Sequence, residues 1–153
     1  MKTTVRFTLN GRPYKLDVEP HEALLDVLRR DCGQRSVRET CAIGICGACT
    51  VLVDGEMLSA CLLLAPQVDG CEIETVEGET LDEVQRAFVD CTAFQCSYCT
   101  PGMILATRAL LAENAAPTVE EIRHYLAGNL CRCGSYLKII QAVQLAAKRR
   151  NAD

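Results

Sequence analysis

Cys41-Ala-Ile-Gly-Ile-Cys46-Gly-Ala-Cys49, with Cys61 after eleven further residues, is the stretch that decides how this chain folds. As spacing it reads C-x4-C-x2-C-x11-C. That is a ligand pattern for a [2Fe–2S] cluster, in which two irons bridged by two sulfides take four thiolates. A short loop supplies three of them only if its backbone curls around one small object. Gly44 and Gly47 lie between the cysteines, where a missing side chain permits tight curvature and positive φ. They also let backbone N–H groups approach the sulfurs, and such bonds help set a reduction potential.

Working outward, the residues before the loop alternate, with Val5, Phe7 and Leu9 on one face and Tyr14, Leu16 and Val18 on the next run. Asn10-Gly11 between them is a hairpin turn signal. After Pro20, residues 21–31 read as a helix with Leu24, Leu25, Val27 and Leu28 on its apolar side. Beyond the loop, residues 50–53 and 56–60 flank a turn at Asp54-Gly55 and deliver Cys61 back towards it. Residues 73–76 read as a last strand.

The texture changes at Glu77-Gly78-Glu79, after which helix signals recur. Thr80-Leu-Asp-Glu83 reads as a capping box, followed by Leu81, Val84, Phe88 and Cys91 at helical spacing. Thr100-Pro101 reads as a cap and a first helical proline, opening a helix to about Glu113. Thr118 and Glu121 form another capping box, and Ser135 is placed to cap a helix over 136–149. The expectation is an α+β chain: residues 1–78 a small mixed sheet with a covering helix, residues 79–153 a bundle of four helices.

The second half carries its own dense set, Cys96-Ser-Tyr-Cys99 and Cys131-Arg-Cys133, each just before an expected helix. Helix N-termini offer free N–H groups and the positive end of the dipole, which suits an anionic thiolate cluster. Spacing alone also admits a structural zinc site with four thiolate ligands. A redox dithiol fits less well, for no thioredoxin-like pattern surrounds the pair. Cys32, Cys71 and Cys91 have no such neighbours and read as small buried residues. His21 and His124 stand alone among charged residues and read as surface positions.

The totals agree. Of 153 residues 49% are hydrophobic, as in a globular protein, and a net charge of −4 argues against a nucleic-acid partner. Lys148-Arg149-Arg150 reads as a solvated helix end complementing the dipole. Eleven cysteines, an odd number, point to metal ligation over disulfides. The first residues alternate like a strand and lack an apolar signal region, and the apolar run at 60–66 is too short for a bilayer. A cytoplasmic protein is expected.

The two cysteine sets together, with Gln95-Cys-Ser-Tyr-Cys-Thr-Pro-Gly-Met103 and Gly128-Asn-Leu-Cys-Arg-Cys133, closely resemble one family, the iron–sulfur small subunit of the molybdenum hydroxylases. That family includes xanthine dehydrogenase, aldehyde oxidoreductase, aerobic CO dehydrogenase and N-heterocycle dehydrogenases. The resemblance covers nearly the whole chain. It implies a β-grasp, ferredoxin-like domain followed by a four-helix bundle, each with one [2Fe–2S] cluster. Cys41, Cys46, Cys49 and Cys61 would hold the first, facing a medium FAD subunit. Cys96, Cys99, Cys131 and Cys133 would hold the second, facing molybdopterin in a large subunit, with Gln95 and Cys133 touching the pterin. Electrons would run from molybdenum through both clusters to FAD in a heterotrimer, and this chain would have no substrate site. Four features depart from the family pattern: Thr40 for glycine, Ser97-Tyr98 for Gly-Phe, Cys133-Gly-Ser-Tyr136 for Cys-Thr-Gly-Tyr, and a short segment after Gly78. The competing readings are a cytochrome acceptor in place of FAD, a free-standing ferredoxin-like carrier, and a zinc module.

Overall fold

The opening hairpin forms as the alternation demands. Strands β1 (Thr3–Leu9) and β2 (Arg12–Val18) pair antiparallel from Thr3 opposite Val18 to Leu9 opposite Arg12. Asn10 and Gly11 turn the chain with φ of 50° and 77°, the two positive values a tight hairpin needs. The computed structural model describes residues 1–78 and 81–152. Val5, Phe7 and Leu9 are all buried, and Phe7 stacks on Tyr14 across the hairpin.

Helix α1 is Leu24–Arg30, shorter than expected because residues 21–23 are bound elsewhere. Ala23 bridges Leu64, and the Leu24 N–H donates to the Leu63 carbonyl at 2.7 Å. Glu22 turns its carboxylate back to the Glu19 N–H at 2.7 Å. These bonds form a turn over residues 19–22 and a bridge at Ala23, so the helix begins only at Leu24. The apolar side of α1, formed by Leu24, Leu25, Val27 and Leu28, is wholly buried against the sheet.

After the cysteine loop come β3 (Thr50–Val53), β4 (Glu56–Ser59), a 3₁₀ turn (Ala65–Val68) and β5 (Glu72–Glu74). The strand order is β2-β1-β5-β3-β4, with β1 and β5 parallel and the other pairs antiparallel. Strand β5 ends at Glu74 because the next residue leaves the ladder. The Thr75 N–H donates to the Asn10 side-chain oxygen at 2.8 Å, and its hydroxyl donates to Gln34.

The second half holds α2 (Glu83–Asp90), α3 (Thr100–Glu113), α4 (Val119–Tyr125), a 3₁₀ turn (Leu126–Gly128) and α5 (Tyr136–Arg150). Three caps differ in detail from expectation. Thr80 lies outside the described residues, and the box that starts α2 is Asp82 with Gln85: the Gln85 N–H donates to Asp82 at 2.7 Å and the Asp82 N–H to Gln85 at 3.0 Å. The residue capping α3 is Cys99, not Thr100. Ser135 stands at the start of α5 as expected, its carbonyl accepting from the Ile139 N–H at 3.0 Å, but its hydroxyl makes no capping bond. The Thr118–Glu121 box is as expected.

Two cores result. One runs from Val5 to Ile73, the other from Val84 to Ala147. A small third cluster, Leu52 with Leu105 and Ala109, joins them. This explains why all four residues of β3 are buried: Val51 and Val53 face the α1 side while Leu52 meets α3 on the other. A strand covered on both faces reads as a continuous apolar run. Helix α3 is accordingly buried almost throughout from Gly102 to Leu111 and forms the spine of the molecule. Among the described residues no helix is long and apolar enough to cross a membrane.

At Gly102 the two halves touch backbone to backbone. A Cβ placed there would lie 2.2 Å from the Gly47 carbonyl oxygen, closer than any real contact. Gly102→Ala is expected to cost about 1–3 kcal/mol through overpacking, read as a lowered urea midpoint of the cluster-loaded chain.

Candidate metal centres

The first site is built on an irregular loop whose curvature comes from three left-handed residues. Ala42, Gly44 and Gly47 take φ of 54°, 74° and 70°. The Ile45 N–H then lies 3.4 Å from the Cys41 sulfur. Backbone donors at Ile43, Cys46 and Ile45 lower the Cys41 thiol to about 6, so the loop is pre-shaped for a thiolate. Cys49 has the opposite surroundings. It is buried beneath the loop, and burial pushes its thiol up to about 11. Hairpin β3–β4 returns Cys61 to it, with the Ala60 N–H donating to the Cys49 carbonyl at 3.2 Å. The thiols meet in pairs, Cys41 with Cys46 and Cys49 with Cys61, and Cys49 also feels the charge of Cys46.

The second site lies where α3 and α5 begin. Cys96 meets Cys133, Cys99 meets Cys131, and Cys96 is close enough to Cys131 to feel its charge. Burial drives Cys99 up to about 12. Burial also acts against Cys131, but the Ser135 N–H, 3.4 Å from its sulfur, and the Cys99 thiol together keep it lowered. The Tyr98 N–H and Cys133 lower exposed Cys96. Gln95 is exposed beside this group, its side-chain nitrogen 3.5 Å from the Cys133 carbonyl.

The eight cysteines singled out by spacing meet in four pairs, two in each half of the chain. Among the described residues no three Cys, His, Asp or Glu side chains converge closely enough to hold one ion. The thiols meet two by two, and a [2Fe–2S] unit takes two thiolates on each iron, so the donor set suits it. Cys32 is buried in the first core, and burial pushes its thiol up to about 11. Cys71 packs on the first core and Cys91 on the second. His21 and His124 are exposed.

Spacing did not reveal how closely the sites abut. The Leu130 N–H donates to the Cys46 carbonyl at 2.9 Å. Asn129, almost fully buried, sends its amide to the Gly47 carbonyl at 3.1 Å and the Thr50 hydroxyl at 3.2 Å. A Cβ on Gly47 would fall 2.5 Å from that amide and 2.6 Å from the Gly128 carbonyl. On the other side of the loop, Arg38 donates to the Ser97 carbonyl at 2.5 Å and the Tyr98 hydroxyl to the Glu39 carbonyl at 2.5 Å. Asn129 stands in a quoted motif, but nothing local marks its amide for a partner 82 residues away.

The chain matches two family models, "2Fe-2S iron-sulfur cluster binding domain" over residues 7–66 and "[2Fe-2S] binding domain" over 72–144. Fold and site define a protein with two [2Fe–2S] clusters. The nicotinate dehydrogenase small FeS subunit of Eubacterium barkeri is 47% identical over 97% of each chain. The xanthine dehydrogenase iron-sulfur-binding subunit of Escherichia coli O157:H7 is also 47% identical, over 92% of this chain and 91% of that one. A chain in the crystal structure of quinoline 2-oxidoreductase from Pseudomonas putida 86 superposes with a TM-score of 0.93 at 41% identity, covering 99% of this chain and 97% of that one. The chain belongs to the iron–sulfur small subunits of the molybdenum hydroxylases. It is an electron-transfer component of an oxidoreductase and does not itself carry out the substrate chemistry.

Asn129→Ala removes the donor to Gly47 and Thr50 from a buried junction. The expected cost is about 1–3 kcal/mol, measured as a loss of unfolding free energy of the loaded chain in urea.

Proposed function

We propose that Cys41, Cys46, Cys49 and Cys61 hold one cluster, that Cys96, Cys99, Cys131 and Cys133 hold the other, and that the chain divides near residue 78 into a ferredoxin-like part (1–78) and a helical part (79–153). When bound, each [2Fe–2S] group takes up and releases one electron. The chain then links a molybdopterin centre in a large subunit, on the Gln95 and Cys133 side, to FAD in a medium subunit, on the side of the 41–49 loop. The complex is a cytoplasmic heterotrimer.

One observation supports this reading: the loop that carries Cys46 and the segment leading to Cys131 are joined directly, the Leu130 N–H donating to the Cys46 carbonyl at 2.9 Å. A diffusing carrier needs one exposed centre, whereas two held at fixed separation suit conduction between partners. Exposed apolar residues around each group support docking on both sides. Ile43, Ile45 and Leu62 are exposed next in sequence to cysteines of the first set or within its loop, and Leu130, Tyr136 and Leu137 are exposed within a few residues of Cys131 and Cys133. Such residues on a surface mark interfaces. The chain's own residues shape the holders. Ile43, Ile45 and Cys46 turn N–H groups on Cys41, and Ser135 turns one on Cys131. Buried Cys49 and Cys131, with half-buried Cys99, line the inner sides.

The substrate is a property of the large subunit. The relatives named for nicotinate and for xanthine are equally identical to this chain, so identity selects neither.

Native purification through a tag on this chain, followed by metal and flavin analysis, is expected to yield two larger subunits, molybdenum, flavin and about four irons per chain, two for each site. Iron without molybdenum at gentle salt would overturn the subunit arrangement. Molybdenum without flavin would replace the FAD subunit by a cytochrome acceptor. Cys131→Ser and Cys133→Ser are each expected to remove the helical-half cluster signal in electron paramagnetic resonance and abolish turnover, while Cys71→Ser leaves both signals. Loss of a signal in Cys71→Ser would sink the ligand assignment.

A further inference from the structure

The segment between Cys96 and Cys99 departs from the family pattern, with Ser97-Tyr98 in place of Gly-Phe, and it is also the segment gripped by Arg38. Two contacts fix that guanidinium, and a third holds the residue's backbone. Its Nη1 donates to the Ser97 carbonyl at 2.5 Å, and its central carbon lies 5.0 Å from the centre of the Tyr98 ring. The Arg38 backbone N–H donates to the Ala48 carbonyl at 3.3 Å, which anchors the base of the side chain on the first-site loop. Tyr98 is held in turn by its hydroxyl, which donates to the Glu39 carbonyl, a bond phenylalanine could not make. Ser97 keeps φ at 62°, a left-handed value that favours glycine, so the segment holds a costly conformation under this grip.

A cation held one residue from Cys96 and two from Cys99 acts on any charge gained at that site. A [2Fe–2S] group that takes up one electron gains one unit of negative charge. A fixed positive charge nearby favours that state and raises the potential. Arg132, between Cys131 and Cys133, is exposed to water and is more strongly screened. Arg38 is half-buried and locked in place by the aromatic ring and the carbonyl.

We infer that Arg38, reaching across from the first half, is a positioning and charge-bearing residue that raises the reduction potential of the cluster in the helical half. The inference rests on the assignment of Cys96, Cys99, Cys131 and Cys133 to one cluster. Through it, the first half tunes the second centre, and Tyr98 is the clamp that keeps the charge in register.

The test is a redox titration with dithionite and mediators on the native complex, followed by electron paramagnetic resonance. The signal lost in Cys133→Ser identifies the helical-half cluster. A unit charge roughly 10 Å from the added electron, at an effective dielectric of about 20, alters an equilibrium by about tenfold. Arg38→Gln keeps a donor for the Ser97 carbonyl but removes the charge. It is expected to lower that cluster's midpoint by about 59 mV, the tenfold equivalent for one electron, with a smaller change in the other cluster. Arg38→Met serves as a second neutral variant, and Arg38→Lys, which keeps the charge, is expected to stay near the parent value. An unchanged midpoint in both neutral variants, with both signals and iron content retained, overturns the inference. So does an equal drop in Arg38→Lys, which would make the effect one of geometry. A parent complex lacking the second signal would fail the ligand assignment instead, and is told apart by its iron content.

Discussion

The close approach of two backbones at Gly47 and Gly102 is the constraint on which the rest of this molecule depends. No side chain fits between the Gly47 carbonyl and α3, and the Asn129 amide reaches into the gap from the side. That contact places the turn carrying Cys46 and Cys49 directly against the start of the helix capped by Cys99. The Leu130 hydrogen bond to Cys46 then brings in the stretch of chain leading to Cys131. A buried carbonyl without a donor would be costly, so the amide and the missing Cβ atoms have to occur together. The spacing between the sites is therefore set by covalent geometry and main-chain bonds. The Asn129 amide completes that junction, and Arg38 and Tyr98 tie the two cysteine segments together on the other side of the loop.

Within each site the thiols are treated unequally, and by the same means. The outer ones, Cys41 and Cys96, are surrounded by backbone N–H groups that favour the thiolate. The inner ones, buried Cys49 and half-buried Cys99, are shielded from water, which disfavours their charged form. Metal ligation requires thiolates throughout, so binding an iron–sulfur group displaces protons from the inner cysteines. The arrangement offers ready ligands at the mouth and a water-poor seat below. It is reached by a loop with left-handed residues in one half and by paired helix starts in the other, two solutions to the same electrostatic problem.

Departures from the family pattern find local reasons. Gly134, where threonine is usual, takes φ of 79°, which glycine adopts without strain. Ser97 takes a left-handed value that glycine would adopt more cheaply, and Tyr98 adds a hydroxyl bond to Glu39 that ties the segment down. One substitution relaxes a turn, and the other pair accepts strain and adds a tether. Nothing in the structure explains Thr40.

The order of elements, the position of the cysteine-bearing segments and the covering helix were legible in the sequence, because each rests on local signals. Strand alternation, the Asn10-Gly11 turn, the Thr118–Glu121 box and cysteine spacing all act within a few residues. Helix and strand ends were less legible where a distant partner competes for the backbone. Leu63 and Leu64 delay α1, and Asn10 ends β5. The junction between the halves could be read only from the tertiary structure. Gly47, Gly102 and Asn129 come from three separate segments, and a glycine required by a neighbour's backbone looks in sequence like one required by its own turn. Sequence determined which thiols could act together, since ligand chemistry is encoded in short spacings. The fold decided how close the two groups lie and which charge stands beside them, because those depend on packing between residues far apart in the chain.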